Sequence, residues 1–250
     1  MRKPFALSVA GAALAALSLV PTAVAAGPGL PGAWQQWKAG NEITNLASLQ
    51  RGAGNFMGYC AGCHSIKYVR YSRMGEDLKI PGAQLEALVT PGSKKTDYIV
   101  TTLSAADGEE WFGKAPPDLS LITRSKGSDY VYRFLKTYYL DDKTTNGTNN
   151  LALPGTAMPH VLSALQGAQS LKTVQKGGQE TFGSFEIVEP GQLTAAQYDE
   201  FVRDTVNFLE YAGEPYKAER MSIGVWVLLF LSLFTALAWL LKREYWRDVK

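Results

Sequence analysis

The sequence predicts a mostly helical domain carried on a single C-terminal transmembrane helix, and three observations lead there. Residues 222–241 (SIGVWVLLFLSLFTALAWLL) run for 20 positions without a charge. Residues 129–140 (DYVYRFLKTYYL) and 195–215 (AAQYDEFVRDTVNFLEYAGEP) place apolar side chains at helical spacing. The segments flanking YCAGCHSIKY, residues 59–68, read as helix on both sides, with no strand alternation ahead of Cys60.

The first 26 residues stand apart from the fold. Arg2 and Lys3 open them, an apolar run over residues 5–20 follows, and small residues (Ala23, Val24, Ala25) close them, which is the build of a cleavable signal peptide. The alanine-rich run falls short of the ~20 strongly apolar residues that span a bilayer, so cleavage is expected and the exported domain covers residues 27–221. Residues 222–241 form a helix about 30 Å long, enough to cross the hydrocarbon layer. Trp239, Tyr245 and Trp246 stand where an aromatic belt forms, and Lys242, Arg243, Arg247 and Lys250 mark residues 242–250 as a cytoplasmic tail. Lys217 and Arg220 on the other side weaken that bias, but the leader already sets the orientation. Membrane lipid is therefore one partner. The chain has 25 basic and 23 acidic residues; with leader and tail set aside the outer domain is slightly acidic, which excludes a nucleic-acid binder. Asp107, Glu109 and Glu110 cluster as solvated surface.

Cys60 and Cys63 are the only cysteines, and His64, one of two histidines, follows directly. An exported chain lives where thiols oxidise, so the pair needs a protected fate. Zinc would require four ligands, and His160 lies far from His64 without zinc-finger spacing. A thioredoxin-like pair would open a helix within a βαβ pattern, which is missing here. Covalent haem explains more. In C-x-x-C-H the two thiols add to the porphyrin vinyl groups, the small Ala61 and Gly62 let the backbone lie close to the ring, and His64 falls beneath the iron as proximal ligand. One c-type haem is expected.

Methionine closes the sixth position of such an iron and raises its potential, since a soft thioether favours the ferrous state. Met57 and Met74 flank the attachment site on the proximal side, and Met221 abuts the membrane helix. Met158 remains, in ALPGTAMPHVL, where Pro154, Gly155 and Pro159 predict a stiff non-helical loop. Met158 is the preferred iron ligand and His160 its rival.

GKAPPDLS, residues 113–120, is a rigid strip suited to a haem edge, with Asp118 or Ser120 available to cap the helix after it. Arg124, then Lys126, are candidates to pair with haem propionates. Residues 129–140 carry the stripe Val131, Phe134, Leu135 and Tyr138, read as core. TTNGTNN (144–150) reads as a surface loop, residues 166–192 as glycine-rich with possible short strands, and residues 195–215 as a helix ended by Gly213 and Pro215, leading into the span with almost no linker.

These segments resemble the cytochrome c1 family, the haem subunits of quinol–cytochrome c oxidoreductase (the cytochrome bc complex, complex III), in its bacterial form. LQRGAGNFMGYCAGCHSIKYVRY looks like the haem-attachment helix, GKAPPDLS is close to the family's distinctive internal motif with DYVYRFL after it, LPGTAMP matches the axial-methionine loop, and AERMSIGV leads into the anchor. The resemblance implies a cytochrome c-like haem domain with insertions, thioether links at Cys60 and Cys63, and iron ligation by His64 and Met158. It also implies a pocket lined by Pro116, Pro117 and Tyr130. Lys126 stands where the family has a second arginine, and His160 where it has a proline or small residue. The implied function is one-electron relay from a Rieske iron–sulfur protein to a soluble or membrane-bound cytochrome c, with cytochrome b beside it in a dimeric complex of the bacterial inner membrane. The haem domain would face the periplasm. The rivals are a tethered cytochrome c serving a terminal oxidase and a haem sensor or peroxidase with an open sixth position.

Overall fold

In the computed structural model, residues 29–248 are described; the leader and its cleavage site lie outside them. After a single 3-10 turn, Ala33–Gln36, the first long element is helix α1, Leu46–Tyr59. The Asn45 side chain caps it by accepting the Ser48 N–H at 3.1 Å. Leu49, Gly52, Ala53 and Phe56, at spacings of three and four, form its buried face.

That face crosses the long helix near the C-terminus, Ala195–Gly213, which opens on a Thr194/Gln197 capping box. Gly52 is what lets the two backbones meet: a Cβ there would stand 2.0 Å from the Asp204 carbonyl oxygen. Polar contacts lock the crossing. Arg51 forms a two-pronged pair with the buried Asp204 carboxylate (2.6 and 3.1 Å), Asn55 donates to Phe201 O at 3.1 Å, and Asn207 donates to Ser48 Oγ at 3.0 Å. Phe56 packs on Phe208 in the middle of the core, with ring centroids 5.7 Å apart.

Between the crossing helices lie β1 (Ile66–Arg70), α2 (Tyr71–Asp77), α3 (Gly82–Leu88), β2 (Tyr98–Ile99), α4 (Ala105–Phe112), α5 (Ile122–Ser125), α6 (Ser128–Lys136), β3 (Tyr138–Leu140), β4 (Thr148–Asn150), α7 (Ser163–Gln166), β5 (Gly167–Lys176) and β6 (Gln179–Pro190); the capping-box helix is then α8. The strands pair as three two-stranded antiparallel sheets, β1 with β2, β3 with β4 and β5 with β6.

Several sequence expectations change. The chain after His64 is a strand, not a helix: Ile66 and Val69 are buried while Lys67 and Tyr68 are exposed, and Ile66 pairs with Ile99. The helix expected over 129–140 ends at Lys136, and Tyr138 lies on β3. Side-chain amides take the carbonyls at that end: Gln166 and Gln169 donate to Lys136 O (3.2 Å each), and Asn150 donates to Phe134 O at 2.7 Å. Residues 144–150 contribute β4 rather than loop alone. Residues 166–192 form one long hairpin, not short strands, turned by Gly177 and Gly178 at φ 61° and 79°. Asp118 and Ser120 cap no helix, since α5 starts after Leu121 without a side-chain cap.

The membrane helix α9, Lys217–Tyr245, begins one turn earlier than residue 222 and is about 43 Å long. None of its apolar window is buried in the protein, and it is long and apolar enough to cross a membrane. Glu214, Pro215 and Tyr216 separate it from α8, and the joint is tied by side chains: Lys217 to Glu210, Arg220 to Glu214 at 2.8 Å, and Arg73 to the Tyr216 hydroxyl at 3.0 Å.

Candidate functional site

The Cys60–His64 segment continues α1 as one further turn. Cys60 N and Ala61 N both donate to Phe56 O at 2.9 Å, and Cys63 N and His64 N donate to Cys60 O at 3.1 and 2.9 Å. The turn carries Cys60, Cys63 and His64 on a single coil anchored by the α1–α8 crossing. Both cysteines are half-buried, and neither forms a disulfide. Burial pushes the Cys60 thiol up to about 12, with the neighbouring Cys63 adding to it, so its surroundings disfavour charge.

His64 is buried, and its Nδ1 meets the Pro117 carbonyl oxygen at 2.7 Å. A carbonyl only accepts, so the Nδ1–H tautomer is selected and the Nε2 lone pair is free for a metal. Burial lowers the imidazole pKa, against the Pro117 carbonyl and Asp118, which raise it; the neutral, ligating form is the result.

The strap carrying Pro117 is pinned from both sides. Leu119 N donates to Ser65 O at 2.8 Å, Lys67 N to Asp118 Oδ2 at 3.0 Å, and Tyr68 N to Ser120 Oγ at 3.3 Å. Thr101 holds the other flank, its N–H donating to Ser65 Oγ at 2.9 Å and its hydroxyl to Gly62 O at 2.7 Å. Helix α4 backs the strap so closely that a Cβ on Gly108 would lie 2.7 Å from Pro116 Cδ. Pro116 and Pro117 thus act through rigidity and one aimed carbonyl. Ser65 and Thr101 act through partners dozens of residues away, and Gly108 through a close approach to Pro116 eight residues on, so the residues next to each in sequence do not mark its role.

Met158 sits half-buried in a non-helical loop, as its prolines predict. Its N–H donates to Thr156 Oγ1 at 3.4 Å, and its carbonyl accepts the Tyr138 hydroxyl at 3.1 Å. A line of rings leads there from α6: Tyr130 on Phe134 (6.4 Å between centroids), Phe134 edge-on to Tyr138 (5.4 Å), and Tyr138 parallel to His160 (4.6 Å, 4° between planes). Tyr130 therefore belongs to the wall that supports the Met158 loop. No hydrogen bond among the described residues joins that loop to His64 directly. Burial lowers His160 to about 4, with the Gln166 side chain opposing. Met74 is fully buried in the core, Met57 packs against it, and Met221 is exposed on α9.

The two cations have different surroundings. Arg124 Nη1 is held by Glu214 at 3.0 Å, a carboxylate at the end of α8 that also binds Arg220, so Arg124 already has a partner. Lys126 lines a polar cleft of about 470 Å³ together with Tyr130 and Arg133. Of the two, Lys126 is the one that shares a cleft with Tyr130.

The donor set fits a c-type haem: two thiols in neutral surroundings, a neutral imidazole with Nε2 unprotonated, and a thioether in a braced loop. The Cytochrome C1 family profile matches residues 37–249. Cytochrome c1 of Allochromatium vinosum is 45% identical over 93% of this chain and 96% of its own length. The ammonia monooxygenase gamma subunit of Nitrosomonas europaea is 40% identical over 85% of this chain and 88% of its own. A chain of a hyperthermophilic respiratory complex III has a TM-score of 0.40 and 19% identity over 87% of this chain and 80% of that one. With a profile match over most of its length and relatives at this identity, the chain belongs to the cytochrome c1 family.

Proposed function

We propose that this chain is the membrane-anchored haem subunit of a bacterial quinol–cytochrome c oxidoreductase, taking single electrons from a Rieske iron–sulfur protein and passing them to a soluble or membrane-bound cytochrome c. Bound haem supplies the one-electron chemistry, cycling its iron between ferric and ferrous. The protein needs no acid, base or nucleophile; its residues hold and tune. Cys60 and Cys63 form the thioether links, which carry no ionisable proton and so suit the surroundings that raise the free thiol. His64 Nε2 and the Met158 sulfur are the iron ligands. Lys126, ahead of Arg124, faces a propionate, and Pro116, Pro117 and Tyr130 shape the walls.

The observation that carries this reading is the 2.7 Å contact of His64 Nδ1 with Pro117 O, because it fixes the tautomer a proximal ligand requires. In the cell the leader over residues 1–26 is removed, the domain stands in the periplasm, α9 crosses the inner membrane beside cytochrome b, and residues 242–250 lie in the cytoplasm, within a dimeric complex.

Two measurements test it. The ferric protein should show the near-infrared sulfur-to-iron band of methionine-ligated low-spin haem, and an affinity tag on residue 250 should retrieve cytochrome b and a Rieske protein from detergent-solubilised membranes. A haem protein that comes down without either subunit would refute the complex assignment. The Nitrosomonas europaea relative, named as an ammonia monooxygenase subunit, motivates the second reading, association with a membrane monooxygenase; the same retrieval distinguishes the two.

A further inference from the structure

We infer that Tyr138 is a positioning residue for the sixth-ligand loop, holding Met158 toward the iron through its hydroxyl and holding His160 away from the iron through its ring. The inference deepens the ligand reading above and rests on it.

Three observations meet at Tyr138. Its hydroxyl donates to the Met158 backbone carbonyl at 3.1 Å, so it restrains the loop at the ligand residue itself. Its ring lies parallel to His160 at 4.6 Å with 4° between planes, a full stack. Finally, His160 Nε2 is buried and no hydrogen bond of good geometry reaches it among the described residues; the Gln166 side-chain oxygen, the group that acts on this ring, is likewise left unpaired there.

The last point gives the arrangement its consequence. A buried imidazole nitrogen without a good partner is destabilised by lost hydration, and in the tautomer that leaves Nε2 unprotonated its lone pair would gain from an electron acceptor within reach. His160 lies two residues from Met158 on the same loop, and His64 is the chain's only other histidine. Imidazole is a competent haem ligand and gives a lower potential than methionine. What keeps His160 in place is packing against Tyr138, which is itself fully buried and braced edge-on by Phe134 at 5.4 Å. Tyr138 comes from β3, and that strand is tied to the domain by Gln169 donating to its carbonyl and by pairing with Asn150 on β4. The sixth ligand is thus chosen by a residue that is not itself a ligand.

The test uses the full-length, haem-loaded protein. Tyr138→Phe removes only the hydroxyl and keeps ring and volume. It should retain covalent haem and raise the cyanide-binding rate of the ferric form roughly fivefold, as expected when one net hydrogen bond restraining the loop is lost. Tyr138→Leu removes the stack as well, and should replace the near-infrared methionine band with the electron paramagnetic signature of two imidazoles. Adding His160→Ala to Tyr138→Leu should abolish that signature. Wild-type cyanide binding in Tyr138→Phe, together with an intact methionine band in Tyr138→Leu, would overturn the inference and leave Met158 as ligand. A wild-type spectrum without the methionine band overturns the ligand reading itself, and this inference with it. Should Tyr138→Leu fail to load haem, the cyanide rate of Tyr138→Phe decides alone.

Discussion

Two alanine substitutions, two residues apart on α1, should move stability in opposite directions. At Gly52 an added Cβ would lie 2.0 Å from the Asp204 carbonyl oxygen and 2.7 Å from Phe208 Cβ. Ordinary contact is ~3.5 Å, so α1 and α8 must part by roughly an ångström and loosen the Phe56–Phe208 core between them. Overpacking costs about 1–3 kcal/mol, and here the upper end applies, because the obstacle is backbone and cannot rotate aside. At Gly54 nothing lies within 4 Å of the added carbon. There alanine simply restores helix propensity, worth about 0.5–1 kcal/mol. For a chain of this size each kcal/mol moves the midpoint by about 2–4 °C. Gly52→Ala gains the same propensity, which leaves a net loss of about 2–2.5 kcal/mol, and it should therefore melt about 4–10 °C lower than wild type, while Gly54→Ala should melt about 1–4 °C higher, by circular dichroism in detergent. Haem yield should fall in Gly52→Ala alone, since the same crossing anchors the turn of Cys60, Cys63 and His64. Shifts of the same sign, or a Gly52→Ala midpoint within about a degree of wild type, would refute the close-approach argument.

Replacing Cys60 and Cys63 together by alanine should abolish haem that survives denaturing electrophoresis, while either single variant should keep one link and a weaker stain. Lys126→Gln should lower the midpoint potential by about 20–40 mV, the equivalent of ~0.5–1 kcal/mol for an exposed ion pair that favours the more charged ferrous state. Arg124→Gln should leave the potential within error, because Glu214 already holds that guanidinium; a large drop there would return the propionate to Arg124. Burial alone would raise the Asp199 carboxyl, but hydrogen bonds from Lys136, Tyr132 and Arg203 outweigh it and hold it at about 2. Its folded value lies below the unfolded one near ~3.9, so its contribution is fully present above about pH 4 and disappears as pH falls towards 2. Acid titration followed by circular dichroism should show Asp199→Asn losing less stability across that window than wild type, and equal losses would assign the acid sensitivity elsewhere.

The features legible in the sequence were those written in contiguous residues. Cys60, Cys63 and His64 point to haem attachment by their spacing in a chain with a leader and no other cysteine, α8 is marked by its period and its Thr194 cap, and α9 by its uncharged run. The Met158 loop was visible because proline removes donors and fixes dihedral angles wherever it stands. What the sequence left open depends on partners brought together only by folding. Arg124 was read from the sequence as a propionate partner, and nothing near it in the sequence foretells its ion pair with Glu214 at the end of α8. Asp118 and Ser120 looked like helix caps but instead pin backbone N–H groups of Lys67 and Tyr68, because a strand there leaves those donors needing acceptors. Residues 137–140 continued a helical stripe on paper, yet amides from Asn150, Gln166 and Gln169 satisfied the carbonyls of α6 and ended it at Lys136. Tyr138 read as ordinary core and is core by burial, but its hydroxyl and its ring acquire separate tasks only against Met158 and His160. Local propensity is a matter of tenths of a kcal/mol per residue, whereas a buried polar group left unpaired costs one or more. Wherever the two compete, the tertiary partner decides.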